Sequence, residues 1–392
     1  MHSIELFVGA GGLGMGVDRA GFTPVAVLDF DKWCCETLRQ NRKRGRPIAK
    51  WPEPIEQNIR DVGFEKYRGR VELVTGGPPC QPFSIGGRHR AHADHRDMWS
   101  ETVRVIRETE PQAFLFENVK GLARQTFATY LGYITRQLQH PSVERRENED
   151  WRDHLSRLDR HHTSNAPLEY RVIPALVNAA NYGVPQKRER VVFVGFREGI
   201  AAKWSFPNET HSRTALLWDK WGSGDYWERH AIAKKDREER PSRAKLSRPD
   251  DDTGPWRTVR DELAGLPDPE RSPEEAAQYL NHRFQPGART YTGHTGSPLD
   301  EPAKTLKAGV HGVPGGENML RRPDGSVRYF TVRESARLQT FPDNFAVTGS
   351  WTESMRQIGN AVPVTLAEVL ARSIRDHLPR KPRQHQHAGR RI

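Results

Sequence analysis

Short apolar runs alternate with amphipathic stretches over the first two hundred residues of the chain. This alternation is typical of a parallel β-sheet flanked by helices, and it predicts an α/β fold. The runs predicted as strands are IELFV, PVAVLD, VELVTG, AFLFEN and RVVFVGF. The stretches predicted as helices are DKWCCETLRQN, RDMWSETVRVIRETE and, near the end of the chain, VPVTLAEVLARSIRDHL.

A glycine-rich turn follows the first of these strands. Gly9, Gly11 and Gly14 have the spacing of a dinucleotide-binding fingerprint between an apolar run and a helical pattern. Glycine lets the backbone approach a ligand closely, and the helix that follows offers unpaired N–H groups. The next strand ends in Asp29, about 20 residues after the first glycine, where a ribose-binding carboxylate is expected. The pattern suits NAD, FAD and S-adenosylmethionine equally well.

Composition divides the chain into four parts. Residues 1–206 carry the alternating pattern, and a highly charged stretch at about 141–167 is expected to be a surface insertion. Residues 207–327 are rich in Arg, Gly, Pro, Asp and Trp with weak periodicity, which predicts a smaller, loop-rich unit. Apolar spacing returns over 328–379, so we expect the chain to re-enter the first domain there. Residues 380–392 are expected to form a disordered basic tail.

The formal net charge is +11 and the sequence pI is about 9.7, which is consistent either with a polyanionic partner or with a merely solvated basic surface. No stretch is long and apolar enough to span a bilayer, and the N-terminus lacks the pattern of a secretory leader. The three cysteines, two of them adjacent, argue against a disulfide framework and favour a reducing compartment. We therefore expect a cytoplasmic protein, and no Cys or His group has the spacing of a zinc site.

The run VELVTGGPPCQPFS delivers Cys80 from the end of a predicted strand. Proline restricts the turn, so the thiol is expected at the edge of the sheet where α/β proteins bind ligands. A small buried cysteine in a tight turn is the alternative.

Further along, Glu117 and Asn118 end a predicted strand, which makes Glu117 a candidate general acid. Arg188 and Arg190 lie on one face of an extended segment and are candidates to grip a carbonyl or a phosphate together.

The order of these motifs resembles that of the DNA (cytosine-5)-methyltransferases of bacterial restriction–modification systems. The matching motifs, in chain order, are ELFVGAGGLGMGVDRAGF, the acid Asp29, Asp61 in NIRDV, GGPPCQPFS, ENV, QKRER, RESARLQTFPD and QIGNAVPV. A hydride-transferring enzyme would require none of the later motifs. The resemblance therefore implies a Rossmann-like, S-adenosylmethionine-dependent methyltransferase domain, with residues 207–327 as a target-recognition domain.

The resemblance also implies catalytic roles. The Cys80 thiolate is expected to add to C6 of a cytosine flipped out of the duplex, so that C5 can take the methyl group. Glu117 is expected to hydrogen-bond N3 and the exocyclic amine, and Asn118 to orient Glu117. Arg190 is expected to hold the O2 carbonyl, with Arg188 as a supporting charge.

The segment SIGGRHRAHADHRD resembles the mobile catalytic loop of the family. By this resemblance four of its residues are expected to contact DNA, chiefly at phosphates: Ser84, Arg88, Arg90 and Arg96. A merely flexible basic loop is the alternative.

A set of cofactor-binding residues follows from the same resemblance. Phe7 and Phe30 are expected to pack on the adenine, Asp29 to bind the ribose hydroxyls and Asp61 to contact the adenine amine. The remaining members are Gly9, Gly11 and Gly12 in the turn, with Asn360 and Val362 completing the pocket. Ordinary core packing is the alternative for Phe7, Phe30 and Val362.

The implied partner is double-stranded DNA, methylated at a short specific sequence and thereby protected from a separate cognate restriction endonuclease. We expect a monomer. Two other functions remain open at this point: a cytosine-5 methyltransferase acting on tRNA, and a catalytically silent DNA-binding regulator with the same fold. The large middle segment argues against the first, and the presence of Cys80, Glu117 and Arg190 argues against the second.

Overall fold

The computed structural model describes residues 1–45, 47–79, 98–164, 167–242, 246–249, 252–308 and 318–379. Its largest feature is a seven-stranded β-sheet. The strands are β1 (His2–Leu6), β2 (Thr23–Asp29), β3 (Ile55–Glu56), β4 (Leu73–Gly76), β5 (Ala113–Val119), β6 (Tyr170–Asn178) and β7 (Glu189–Arg197). All five strands predicted from the sequence are present, and the α/β fold is confirmed.

The strand order is β3-β2-β1-β4-β5-β7-β6, and β7 runs antiparallel to both of its neighbours. The prediction of a wholly parallel sheet is therefore wrong at this edge. A parallel pair needs a crossover of a dozen or more residues, whereas the link between β6 and β7 is shorter and favours an antiparallel pair. The edge strand β6 was not predicted because Pro174 interrupts its apolar run, and proline is tolerated at the edge of a sheet.

Twelve α-helices and several shorter helical turns accompany the strands in the described part of the chain. They are α1 (Gly12–Arg19), α2 (Lys32–Lys43), α3 (Trp99–Thr109), α4 (Ala128–Gln139), α5 (Trp151–Thr163), α6 (Arg213–Trp218), α7 (Asp225–Arg229), α8 (Val259–Leu263), α9 (Pro273–Ala276), α10 (Val332–Leu338), α11 (Trp351–Asn360) and α12 (Val364–Asp376). Within the described ranges, no helix is long and apolar enough to cross a membrane.

Helices α1 and α12 pack closely against each other. A Cβ added at Gly16 would lie 2.4 Å from Cβ of Ala367 and 2.5 Å from the backbone oxygen of Val364, so this crossing requires glycine. The apolar face of α12 joins the same core cluster as β5 and β7. The C-terminal part of the chain is thereby held against the strands that the N-terminal part forms.

Helix α5 lies within the charged stretch expected to be a surface insertion. Trp151, His154 and Leu158 are buried, and the ring of Trp151 contacts that of Tyr130 on α4 with centroids 5.5 Å apart. The expectation is wrong for this helix because buried residues at a spacing of three and four form a stripe that the many charged neighbours obscure. The stretch contributes to the core.

The helices and strands in the described residues of the middle of the chain are all short. Its strands are β8 (His211–Ser212), β9 (Gly254–Pro255), β10 (Ser297–Pro298), β11 (Met319–Arg321) and β12 (Val327–Tyr329). Tyr226 and Trp227 form a small separate core with Leu216. The ammonium of Lys220 is buried there, 4.7 Å from the ring centroid of Trp221. The loop-rich character predicted from composition is present.

Candidate active site and cofactor cavity

A cavity of about 580 Å³ lies at the carboxyl ends of β1, β2, β4 and β5. Its lining comes from the residues that follow these strands, from the start of β7 and from the segment 356–362. This edge of an α/β sheet is where ligands bind, because the turns and helix N-termini gather there. The cavity brings together residues far apart in the sequence.

Asp29 braces the glycine-rich turn from the end of β2. Its Oδ2 accepts the N–H of Gly9 at 2.8 Å, and its Oδ1 accepts the N–H of Asp31 at 2.9 Å. The side chain is 8% exposed, and burial raises its pKa. Each oxygen retains a lone pair for a ligand hydroxyl. Asp29 therefore fixes the two turns that border the cavity and can still accept from a ligand.

Asp31 links this region to the C-terminal part of the chain. Its Oδ1 accepts the N–H groups of Trp33 and Cys34 and so caps α2, while its Oδ2 accepts from Nη2 of Arg356 at 2.8 Å. Arg356 lies on α11 and lines the cavity. The backbone hydrogen bonds and the guanidinium hold the pKa of Asp31 below its usual value.

Two phenylalanines border the cavity in different ways. Phe30 is 71% exposed, so the alternative of ordinary core packing does not describe it. Phe7 has a left-handed backbone, with φ of 50°, and packs against the core while also lining the cavity. An exposed phenyl ring beside a cavity offers an apolar face to a planar ligand. Val362 is buried and belongs to the core as well as to the lining.

The three predicted glycines have different surroundings. A Cβ at Gly9 would meet no atom within 4 Å, consistent with a backbone open to the cavity. A Cβ at Gly12 would lie 2.3 Å from the backbone oxygen of Val362, so glycine allows α1 to contact the C-terminal segment. Gly11 instead faces Leu38 and has a φ of 84°. Gly9 and Gly12 line the cavity, and Gly11 shapes the turn behind them.

The predicted adenine contact Asp61 is exposed, whereas its neighbours Asn58, Ile59 and Arg60 line the cavity. The side chain of Asn58 accepts the N–H of Arg60 at 3.1 Å and caps the short helix Ile59–Asp61. Sequence reasoning missed Asn58, although an Asn before a helical turn is a recognisable cap. The segment 58–60 therefore borders the cavity directly before Asp61, whose adenine contact stays a prediction.

An ion pair lies at the other end of the cavity. Nε of Arg190 is 2.6 Å from Oε1 of Glu117, and both side chains are about nine-tenths buried. Glu117 follows the centre of β5 and Arg190 is the second residue of β7, and the antiparallel register of these strands brings them together. Burial lowers the pKa of Arg190, and the carboxylate of Glu117 opposes that shift. The strand pairing thus places the Glu117 carboxylate beside the Arg190 guanidinium.

Asn118 is tied to the turn that precedes Cys80. Its Nδ2 donates to the carbonyl oxygen of Pro78 at 3.0 Å, and the side chain is buried. A Cβ at Gly77 in the same turn would lie 3.4 Å from Oε2 of Glu117. Asn118 was predicted to orient Glu117, and the structure shows that it holds this neighbouring turn in place.

Residues 80–97 lie outside the described part of the chain, and the residues on either side of them, Pro79 and Met98, border the cavity. The N–H of Met98 donates to the carbonyl oxygen of Pro79 at 3.3 Å, and both residues line the cavity. The predicted nucleophile and the predicted DNA contacts of the catalytic loop lie between them, outside the described residues. These are Cys80, Ser84, Arg88, Arg90 and Arg96.

Arg188 is 1% exposed and connects three parts of the chain. Its Nη1 donates to the carbonyl oxygen of Leu306 at 3.0 Å, and its Nη2 donates to that of Gly359 at 2.9 Å. Gln186 is also buried, and its Oε1 accepts the N–H of Leu306 at 3.0 Å. Burial and the nearby charge of Arg190 lower the pKa of Arg188. Arg188 borders the cavity, but its two terminal nitrogens are used to join β7, the middle unit and α11.

Glu5 on β1 is a cavity residue that sequence reasoning missed. It is buried and accepts hydrogen bonds from Ser3 Oγ at 2.7 Å and from the Thr75 hydroxyl. Burial raises its pKa to about 7. The signal in the sequence was a carboxylate in an otherwise apolar strand directly before the glycine-rich turn.

The fold and the cavity define a Rossmann-like enzyme with a nucleotide-type pocket at one end and a buried acid–cation pair at the other. Comparison with protein families agrees with this class. The model of the family "C-5 cytosine-specific DNA methylase" matches residues 1–140 and 152–376. The unmatched residues 141–151 form a shorter insertion than the predicted stretch at 141–167.

Curated relatives agree with this family, and a solved structure has a similar fold. The chain is 31% identical over 378 residues to the Type II methyltransferase M.PspPI of Psychrobacter sp., covering 95% of this chain and 78% of the relative. It is 30% identical to the Type II methyltransferase M.NgoMIV of Neisseria gonorrhoeae, covering 95% and 96%. A putative DNA modification methyltransferase from an Escherichia coli prophage has a similar fold, with a TM-score of 0.57, 19% identity and coverage of 96% and 99%.

The chain belongs to the C-5 cytosine-specific DNA methylase family. It is a DNA (cytosine-5)-methyltransferase of the restriction–modification type, as the resemblance of its motifs predicted.

Proposed function

We propose that the chain transfers the methyl group of S-adenosylmethionine to C5 of a flipped-out cytosine in a short, specific sequence of double-stranded DNA. The observation that carries this proposal is the arrangement of the cavity. One end has Asp29 and the exposed Phe30, and the other has the Glu117–Arg190 pair beside the turn that precedes Cys80. A cofactor and a target base would therefore meet within one cavity.

The residues present fit S-adenosylmethionine. Asp29 retains acceptor sites for ribose hydroxyls, and Phe7 and Phe30 offer apolar faces to the adenine. The open backbone at Gly9, with Asn360 and Val362 across the cavity, would hold the remainder. When bound, S-adenosylmethionine supplies an electrophilic methyl group. Asp61 would contact the adenine amine, and segment 58–60, which precedes it, borders the cavity.

The chain's own residues would make cytosine reactive. C5 of cytosine is a weak nucleophile, so the Cys80 thiolate adds to C6 and raises the electron density at C5. Glu117 shares a proton with N3 as negative charge develops on the ring, and Arg190 holds Glu117 in place and faces the O2 carbonyl. After C5 has taken the methyl group, water removes the C5 proton and the Cys80–C6 bond breaks.

The base must leave the helix for this chemistry, because C6 and C5 are reached from the faces of the ring. Flipping a base out of the duplex costs roughly a few kcal/mol because stacking and pairing are lost. Contacts with the protein must offset this cost. The basic residues Arg88, Arg90 and Arg96 follow Cys80 in the chain and would supply phosphate contacts. The proposed consequence for the cell is protection of the methylated sequence from a separate restriction endonuclease.

Labelled S-adenosylmethionine, presented with an unmethylated duplex library and with total tRNA, tests the proposal. We expect label on DNA, located by sequencing as 5-methylcytosine at one recurrent short sequence. Label on tRNA alone would show that the substrate is RNA. Cofactor binding without label on either nucleic acid would favour the silent DNA-binding regulator.

A further inference from the structure

An exposed aromatic pair closes a tight hairpin in the middle unit. The N–H of Tyr291 donates to the carbonyl oxygen of His294 at 3.3 Å, and the N–H of His294 donates back at 2.8 Å. The two rings are 4.3 Å apart with an angle of 32° between them. Gly293 in the turn has a φ of 81°, which glycine tolerates. In this Tyr291 hairpin (residues 291–294), Tyr291 is 53% exposed.

The hairpin lies in a stretch of sequence without carboxylates. No Asp or Glu occurs between Glu275 and Asp300, whereas Arg283 and Arg289 lie within that stretch and are exposed. Among the large hydrophobic residues of the described part of the chain, Tyr291 is more exposed than any except Phe30. The charged residues within this stretch of sequence are cations alone, which favours an anionic partner.

The carboxylates that follow the stretch are engaged in ion pairs. Asp300 is buried and lies 2.6 Å from Nε of Arg260. Glu301 lies 3.5 Å from Nζ of Lys187 and 3.7 Å from Nζ of Lys220. Their charge is therefore largely neutralised, and the basic character of the hairpin surface is retained.

The hairpin is connected to the active site through a short chain of contacts. Nζ of Lys304 donates to Oγ1 of Thr295 at 3.0 Å, directly after the hairpin. The preceding residue, Ala303, accepts the N–H of Lys187 at 2.8 Å, in the segment that leads into β7 and Arg190. The hairpin is thereby linked to the backbone of Lys187, three residues before Arg190 in the chain.

We propose that the Tyr291 hairpin reads DNA beside the target cytosine. The rings of Tyr291 and His294 contact bases of the recognition sequence, and Arg289 and Lys304 contact the neighbouring phosphates. Aromatic rings can contact base edges in a groove of the duplex, the phenol hydroxyl and the imidazole can hydrogen-bond those edges, and cations fix the register on the backbone. This inference rests on the proposed double-stranded DNA substrate.

Photo-crosslinking tests the contact independently of catalysis. The full-length enzyme carries p-benzoylphenylalanine in place of Tyr291, and a gel shift verifies its complex with duplex DNA before irradiation. Tyr279 provides the matched control, because it is 37% exposed in the same unit and donates its hydroxyl to Gly265 O at 3.2 Å. We expect a crosslink to DNA from position 291 and none from position 279. A verified complex without a crosslink from 291 would overturn the inference.

Methylation profiles of variants test the reading role. We expect Tyr291→Ala to lower kcat/KM for DNA at least tenfold, roughly what loss of one good base contact costs, and to change which bases are accepted near the target. The affinity for S-adenosylmethionine and the profile of Tyr279→Phe should be unchanged. Unaltered sites and rates in Tyr291→Ala would contradict the inference.

These outcomes separate the inference from the proposed function. A wild-type enzyme that binds duplex DNA but produces no 5-methylcytosine would contradict the proposed function, and the crosslink would still decide the role of the hairpin. Failure of the wild-type enzyme to bind any duplex would overturn both.

Discussion

Replacing Arg188 by Met tests whether this residue is a structural clamp or a charge that acts on the base. The structure uses two of its nitrogens on the carbonyl oxygens of Leu306 and Gly359. Methionine fills a similar volume without any donor. The substitution therefore leaves two carbonyl oxygens without their partner and creates little empty space.

The expected loss of stability follows from those two contacts. A buried carbonyl that loses its donor costs about 1–3 kcal/mol, and removal of a buried charge returns part of that cost. We expect Arg188→Met to lower the free energy of unfolding by about 2–4 kcal/mol. Arg188→Lys keeps the charge but can reach one of the two oxygens at most, so it should lose about half as much.

Urea unfolding followed by tryptophan fluorescence measures this loss, since the chain has ten tryptophans. The control is Arg372→Ala on α12, whose side chain is 54% exposed and paired only with Glu368. Its unfolding free energy should change by no more than about 0.5 kcal/mol. Under conditions where Arg188→Met is folded, we expect its KM for DNA to rise with little change in kcat, because Leu306 belongs to the middle unit.

The opposite pattern would refute the clamp. If Arg188→Met unfolds at the urea concentration of the wild type but loses kcat, its charge acts on the reacting base. A rescue of kcat by Arg188→Lys would support that conclusion further.

Two more substitutions test features of the cavity. Gly12→Ala places a Cβ 2.3 Å from the backbone oxygen of Val362, so we expect weaker S-adenosylmethionine binding by calorimetry and a loss of about 1–3 kcal/mol of stability. Gly132→Ala on α4, where a Cβ meets nothing within 4 Å, should instead stabilise by about 0.5–1 kcal/mol; equal effects of the two would contradict the close approach at Gly12. Glu5 keeps its proton to about pH 7 when folded but releases it near pH 4.5 when unfolded, so the stability of the wild type should fall as pH rises through that window. In Glu5→Gln, the decrease of the unfolding free energy over this pH range should be smaller by up to about 3 kcal/mol. Parallel pH profiles of the two proteins would show that the burial of Glu5 does not cause the decrease.

Local sequence patterns predicted much of the fold because each strand and turn has its own signal. The five strands follow from apolar runs, and the glycine-rich turn follows from the spacing of Gly9, Gly11 and Gly14. The direction of β7 depends on the length of its connection to β6. The burial of α5 depends on a stripe of buried residues that lie among charged ones. These are properties of packing, which local patterns reveal poorly.

The candidate site was predicted unevenly for a similar reason. Residues carried by strand ends, such as Asp29 and Glu117, lie on the cavity where the motifs placed them. Arg188 donates hydrogen bonds to Leu306 and Gly359, which are more than a hundred residues away in the sequence. These two contacts could not be inferred from the sequence around Arg188. The roles of the individual side chains, including that of Cys80, stay predictions.

The central claim is methyl transfer through a covalent bond between Cys80 and C6 of the target cytosine. Its most direct test uses a duplex in which the target is 5-fluorocytosine, because fluorine at C5 leaves no proton to remove and the Cys80–C6 bond cannot break. Mass spectrometry of the digested enzyme should find the nucleotide attached to Cys80, and Cys80→Ala should bind S-adenosylmethionine but give neither adduct nor product. Attachment at another residue, or 5-methylcytosine formed by Cys80→Ala, would contradict the account.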